Sequence, residues 1–234
     1  MFSEVMSETL PHKSPSCYLG GMHPTTDLKN LRAGDVVNGW RILNPWHQDA
    51  WSVFFVVERQ DERRLLRVTR LRPDSPEGRE QEQLLEREAG ALRFLQHPSV
   101  LRVHEDGRWP EADTGHRYLV LDFIEGDILS RWARSGATFT QLLQLVSRLS
   151  EILRDMHAQG LVHGDLHSDN ILVRKADEEP ILFNFTSAAW TGHPLQGGEF
   201  EPSEDEDRDS LNWLFSPHRQ LRLDGLRGRR HPSE

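Results

Sequence analysis

"GLVHGDLHSDNILVR", residues 160–174, follows directly on the most amphipathic stretch of the chain, and this junction restricts the possible folds most. In the preceding "TQLLQLVSRLSEILRDMHAQG", Leu142, Leu145, Val146, Leu149, Ile152, Leu153 and Met156 recur at helical spacing and predict one apolar face. Gly160 stands where a helix C-cap belongs. A histidine, an aspartate and an asparagine (His163, Asp165 and Asn170) then fall at fixed intervals in a polar loop. "NILV" and "PILFNF" read as two short strands after it. A packed helix, a polar loop and a small hairpin must therefore meet at one place.

Upstream, the period changes. "GDVVNGWRIL", "WSVFFVVERQ" and "RRLLRVTRL" are rich in β-branched, aromatic and other apolar residues and predict strands, the last two joined by a polar turn at "RQDE". "EQEQLLEREAGALRFLQ" predicts a helix with Leu84, Leu85, Leu92 and Leu95 at helical spacing. Glu88 lies four residues from Leu84 and four from Leu92, so it shares their apolar face and needs a partner there. "HPSVLRVHEDGRW" and "HRYLVLDFIEG" predict two more strands. No repeat of 20 to 50 residues is present.

Composition excludes several classes. With 37 acidic and 28 basic residues the formal net charge is −9, so a nucleic-acid partner is not expected. Cys17 is the single cysteine, which rules out an internal disulfide and a cysteine-based zinc site. The start, "MFSEVMSETLPHK", carries acids where a signal peptide needs a basic start, and no apolar run is long enough for a membrane span. A cytoplasmic protein is the expectation.

Five strands with one inserted helix, a long helix and "HGDLHSDN" together resemble the protein kinase-like superfamily, of the bacterial serine/threonine protein kinase type. The resemblance runs from about Gly34 to Phe215, and "LQHPSVLRVHEDG" and "YLVLDFIEGDIL" add to it. The HGD form of the loop is also similar to small-molecule phosphotransferases of the aminoglycoside type. The fold implied is α+β and bilobal, with a β-rich N-lobe and a truncated helical C-lobe. In phosphoryl transfer the protein mainly positions groups and neutralises charge. By the resemblance, Asp165 takes the place of the base, Asn170 that of a magnesium ligand, and His163 completes the loop motif. Asp122 and Ile124 fall in the stretch that contacts adenine, and "YLVLDFIEG" keeps the adenine side plausible. Arg67 and Glu88 take the places of the lysine–glutamate pair, and Asp207 that of an aspartate on a late helix.

Three departures predict a degenerate site. Arg67 replaces the lysine; it can still pair with Glu88 but is bulkier and aimed differently. Between Trp40 and Glu77 there is no glycine, so "NPWHQDAW" replaces the turn whose backbone N–H groups close over phosphates. Trp46 and Trp51 in or beside it are either cleft plugs or ordinary packing. Asn184, in "NFT", replaces the aspartate that holds the metal and brings no negative charge. Gly164 stands where an arginine usually precedes the base, and the later helices of a full C-lobe have no counterpart.

The expected organisation is a flexible lead-in over 1–33, an N-lobe over 34–125, a C-lobe over 126–216 and a basic tail over 217–234. "EFEPSEDEDRD" is expected to be a solvated loop facing the arginines of "HRQLRLDGLRGRR". The expected function is that of a pseudokinase: a regulatory or scaffolding module with a protein partner, weak or no nucleotide, and no resident cofactor. The alternative is an active atypical kinase or small-molecule phosphotransferase using Asp165 and Asn170, with ATP and magnesium held weakly at Asn170 and Asn184. A third reading, a metal-dependent hydrolase, would use His163, Asp165 and His167 as ligands.

Overall fold

The β-branched and aromatic runs of the N-terminal half do form strands, and alternate side chains divide between two cores. In the computed structural model, which describes residues 28–191 and 203–215, the strands are Val36–Val37 (β1), Trp40–Gln48 (β2), Ser52–Arg59 (β3), Glu62–Thr69 (β4), Val103–Trp109 (β5) and His116–Asp122 (β6). They make one antiparallel sheet in the order β1-β2-β3-β4-β6-β5. Phe54, Leu65 and Leu119 face the cleft and the inserted helix, whereas their neighbours Phe55, Leu66 and Val120 face a second cluster.

"GDVVNGWRIL", expected as a single strand, is a hairpin. Asn38 and Gly39 take φ values of 44° and 85°, the left-handed geometry that suits an Asn-Gly turn between twisted strands. The second cluster also takes in Leu28 and Leu31. The lead-in expected over 1–33 therefore ends in a packed 3-10 turn, Leu28–Asn30.

Helix α1, Pro76–Phe94, starts earlier than its apolar spacing predicts. Ser75 caps it by accepting from Gly78 N, and Pro76 opens its first turn. Leu85, Ala89 and Leu92 are buried against the sheet, with Glu88 among them. After a connection over residues 123–125, the hinge, come Gly126–Ile128 (β7), Leu129–Arg134 (α2) and Phe139–His157 (α3). Helix α3 opens with a capping box between Thr138 and Gln141, and Leu145, Leu149, Ile152, Leu153 and Met156 are buried. Leu142 and Val146 are half-buried at the edge of that face.

Leu161–Val162 (β8), Ile171–Arg174 (β9), Pro180–Leu182 (β10), Ala189–Trp190 (β11) and Glu204–Leu214 (α4) complete the described chain. Strands β10, β9 and β7 form one small sheet, and β8 pairs with β11. The architecture is the α+β, two-lobed one the sequence predicts.

The acidic run requires a correction. Residues 204–209 of "EFEPSEDEDRD" are the first turns of α4, not a solvated loop. Ser203 Oγ accepts from Glu206 N while the Glu206 carboxylate accepts from Ser203 N. Four acids in the first turn face the positive end of the helix dipole. Glu204 and Asp205 pair with Arg208 in the same helix. The arginine-rich segment expected to face them lies outside the described residues.

Candidate functional site

Arg67 enters the interior from β4 because its neighbours Leu66 and Val68 fill the other face of the sheet. Only 1% of its side chain is exposed, so each N–H needs a partner. Nη1 donates to Glu88 Oε2 at 2.5 Å and to Asn184 Oδ1 at 2.8 Å. Nε donates to Ser52 Oγ at 2.9 Å, and Nη2 to Asp49 Oδ2 at 3.3 Å. The guanidinium carbon also stands 4.9 Å from the centre of the Phe54 ring. The inward glutamate thus meets the arginine, as its spacing requires. The second Glu88 oxygen accepts from Phe185 N at 3.2 Å and ties α1 to the segment after β10.

The bond from Arg67 also orients Asn184, which has left-handed backbone (φ 66°) tolerable for asparagine. With Oδ1 held by the guanidinium, Nδ2 donates to Asn170 Oδ1 at 2.9 Å. Asn170 Nδ2 in turn donates to the Asp165 backbone O at 2.8 Å and to its carboxylate Oδ2 at 3.2 Å. Both amide oxygens that the resemblance offers to magnesium are accepting from N–H groups, and no carboxylate stands between them. This pair does not fit a divalent ion.

The polar loop is held by the far side of the C-terminal half. Asp207, buried on α4, accepts from His163 N at 2.8 Å, Gly164 N at 3.0 Å and His157 Nε2 at 3.0 Å. His163 is fully buried: its Nε2 donates to Phe183 O, its Nδ1 accepts from Asp165 N, and its ring packs on Phe185. Burial holds this imidazole below its ordinary pKa, against the opposing charges of Asp207 and Asp165. For Asp165, burial raises the pKa, but hydrogen bonds and charge from His167, with Asn170, outweigh it and keep the carboxyl low. With both nitrogens of His163 committed, the metal-ligand reading loses its first member. Among the described residues no group of three His, Cys, Asp or Glu side chains could hold a metal ion.

The two tryptophans separate. Trp51 is 40% exposed and does not plug the cleft. Trp46 turns inward from β2 and stacks edge-on against Phe54 and Phe183. Trp46 and Phe183, together with Leu65, Leu101, Asp122, Phe123, Ile124 and Leu172, enclose a space of about 10 Å³, room for one water at most. The indole narrows the space beside Ile124 and Phe183, and an open space of about 440 Å³ adjoins it on the side of Leu43, Val56 and Glu125. The Asp122 carboxylate accepts from Arg102 N and meets His104 Nε2 at 2.6 Å.

Asp49 and Ser52 are the members that sequence reasoning missed. An aspartate opening a turn, with free N–H groups two and three residues on, is the available signal. The position of Trp46 in the hinge-side space carries no such local signal.

Among the described residues no helix is long and apolar enough to cross a membrane. The family model "Protein kinase domain" matches residues 52–194. The chain is 34% identical over 96 residues to calcium/calmodulin-dependent protein kinase type II subunit delta of Oryctolagus cuniculus, covering 39% of this chain and 17% of that protein. It is 29% identical over 96 residues to serine/threonine-protein kinase Pkn1 of Myxococcus xanthus, covering 41% of this chain and 13% of that one. The chain thus spans less than a fifth of the length of these relatives.

Proposed function

This chain belongs to the protein kinase domain family, and from that premise we propose that it is a pseudokinase, a cytoplasmic regulatory or scaffolding module that binds a protein partner. The observation that carries this reading is the Arg67 guanidinium held between Glu88 and Asn184. The cation is shared among these two and Ser52 and Asp49, so it is not available to nucleotide phosphates, and it stands against the amide oxygen offered to the metal. Trp46 supports the same reading, since its indole packs edge-on against Phe54 and Phe183 and narrows the space beside Ile124. The domain limits that go with this reading are an N-lobe over 34–125 and a C-lobe over 126–216, with a lead-in before and a basic tail after.

A second reading rests on the loop. Asp165 is hydrogen-bonded to both His163 and Asn170, and its side chain is 47% exposed at the cleft. That arrangement suits an atypical ATP-dependent kinase or phosphotransferase, with Asp165 accepting the hydroxyl proton of the substrate. Two assays separate the readings. Melting is followed with ATP, with and without magnesium, and transfer is followed with labelled ATP, a generic protein substrate and an Asp165→Ala control. The pseudokinase reading expects no magnesium-dependent stabilisation and no Asp165-dependent transfer. Asp165-dependent transfer by the wild-type chain would overturn it.

A further inference from the structure

Helices α3 and α4 are joined by the bond from His157 Nε2 to Asp207, and beside that bond they leave a groove of about 530 Å³. Leu153, His157 and Leu211 are its buried lining, whereas Ser150, Ala158 and Asn212 are exposed along it. Its two arginines are already committed within their own helices, Arg208 to Glu204 and Asp205 and Arg154 to Asp155. Two acids of the same helices are not. Glu151 and Asp209 are exposed and have no ion-pair partner among the described residues. An apolar lining below an acidic rim suits a segment that mixes leucine with arginine. The chain carries such a segment after Phe215, directly past the helix that forms one wall. Residues 216–234 hold Leu221, Leu223 and Leu226 among Arg219, Arg222, Arg227, Arg229 and Arg230, against the two acids Asp224 and Glu234.

We propose that residues 216–234 dock in the α3–α4 groove of their own chain, with leucines on Leu153 and Leu211 and arginines against Glu151 and Asp209. Reach permits this. The α4 wall from Glu204 to Asn212 is about 12 Å long, a span that about four extended residues cover. Tethering favours the chain's own segment over a free one, because a short connection holds it at an effective concentration in the millimolar range. Occupancy bears on the polar loop as well. The Asp207 carboxylate that accepts from His157 in the lining also accepts from His163 N and Gly164 N behind it. Docking here does not depend on whether the cleft takes nucleotide.

The probe is a synthetic peptide of residues 216–234 carrying a fluorophore. It is titrated at low salt into the wild-type chain and into the full-length triple variant Leu221→Asp, Arg222→Gln, Leu223→Asp. The peptide should bind the triple variant at least about tenfold more tightly than wild type, whose own segment fills the groove. Adding Ser150→Arg to the triple variant brings bulk and positive charge into the groove and should remove at least about tenfold of that affinity. Should Ser150→Arg fail to fold, Asn212→Arg on the other wall takes its place. Equal binding to wild type and triple variant, no binding to the triple variant, or binding indifferent to the groove substitution each overturns the proposal. Sedimentation separates the chain's own segment from that of a second copy. Wild type should stay monomeric at the concentrations of the titration. A wild-type dimer that the triple variant loses would place the segment in a second copy and overturn docking within one chain.

Discussion

Arg67 Nη1 lies 2.8 Å from Asn184 Oδ1, and this bond decides which way the Asn184 amide faces. Its nitrogen is thereby aimed at Asn170, at 2.9 Å. Two replacements that look independent in the sequence, arginine for lysine and asparagine for aspartate, are one hydrogen-bonded unit in the cleft.

Single reversion at the metal position should therefore fail. In Asn184→Asp the new carboxylate faces the Arg67 guanidinium and should pair with it before it holds a cation. The expected result is a melting temperature equal to or above that of wild type and insensitive to magnesium. A magnesium-dependent rise in that variant would show that the two positions are separable.

Glu88→Ala should leave the Arg67 guanidinium buried with less than its charge compensated. Breaking a buried pair from one side costs about 3 to 5 kcal/mol. The lower end, about 3 kcal/mol, is expected, since Asp49 and Asn184 still accept from Arg67. Chemical denaturation measures this, and a variant as stable as wild type would contradict the pairing.

Trp46→Ala should open the hinge-side space without touching the phosphate side. Adenosine, which has no phosphate, is the matching probe: it should bind Trp46→Ala and not the wild-type chain. If both ignore adenosine, something other than the indole closes that space.

His163 predicts an acid limb in stability. Burial lowers its pKa in the folded chain, so as pH falls below about 6.5 the unfolded chain takes up a proton that the folded chain resists. More protons on the unfolded state means that stability rises with pH in this range; it is complete above the unfolded value and declines as pH falls toward the folded one. His163→Asn should flatten the slope below about pH 6.5 when unfolding free energy is measured across pH.

Periodicity and spacing determined a good deal by themselves. The apolar faces of α1 and α3 follow from residues three and four apart, and the spacing of Glu88 required an inward charge with a partner. His163, Asp165 and Asn170 were legible because a loop of eight residues carries its own geometry in its order. Local capping chemistry was legible too, although its weight was underestimated: the Ser203–Glu206 box turns an acid-rich run into a helix, because two backbone donors and the helix dipole favour those acids there. What only the tertiary structure decided is who shares the interior with Arg67. Ser52, Glu88 and Asn184 lie 15, 21 and 117 residues away from it in the chain. Trp46 on β2, Asp49 in the turn after it and Phe183 just past β10 are likewise brought to the cleft. A buried guanidinium must satisfy all its donors, and no local pattern specifies which acceptors from distant segments will reach it, because that depends on how sheet, helix and loop pack together.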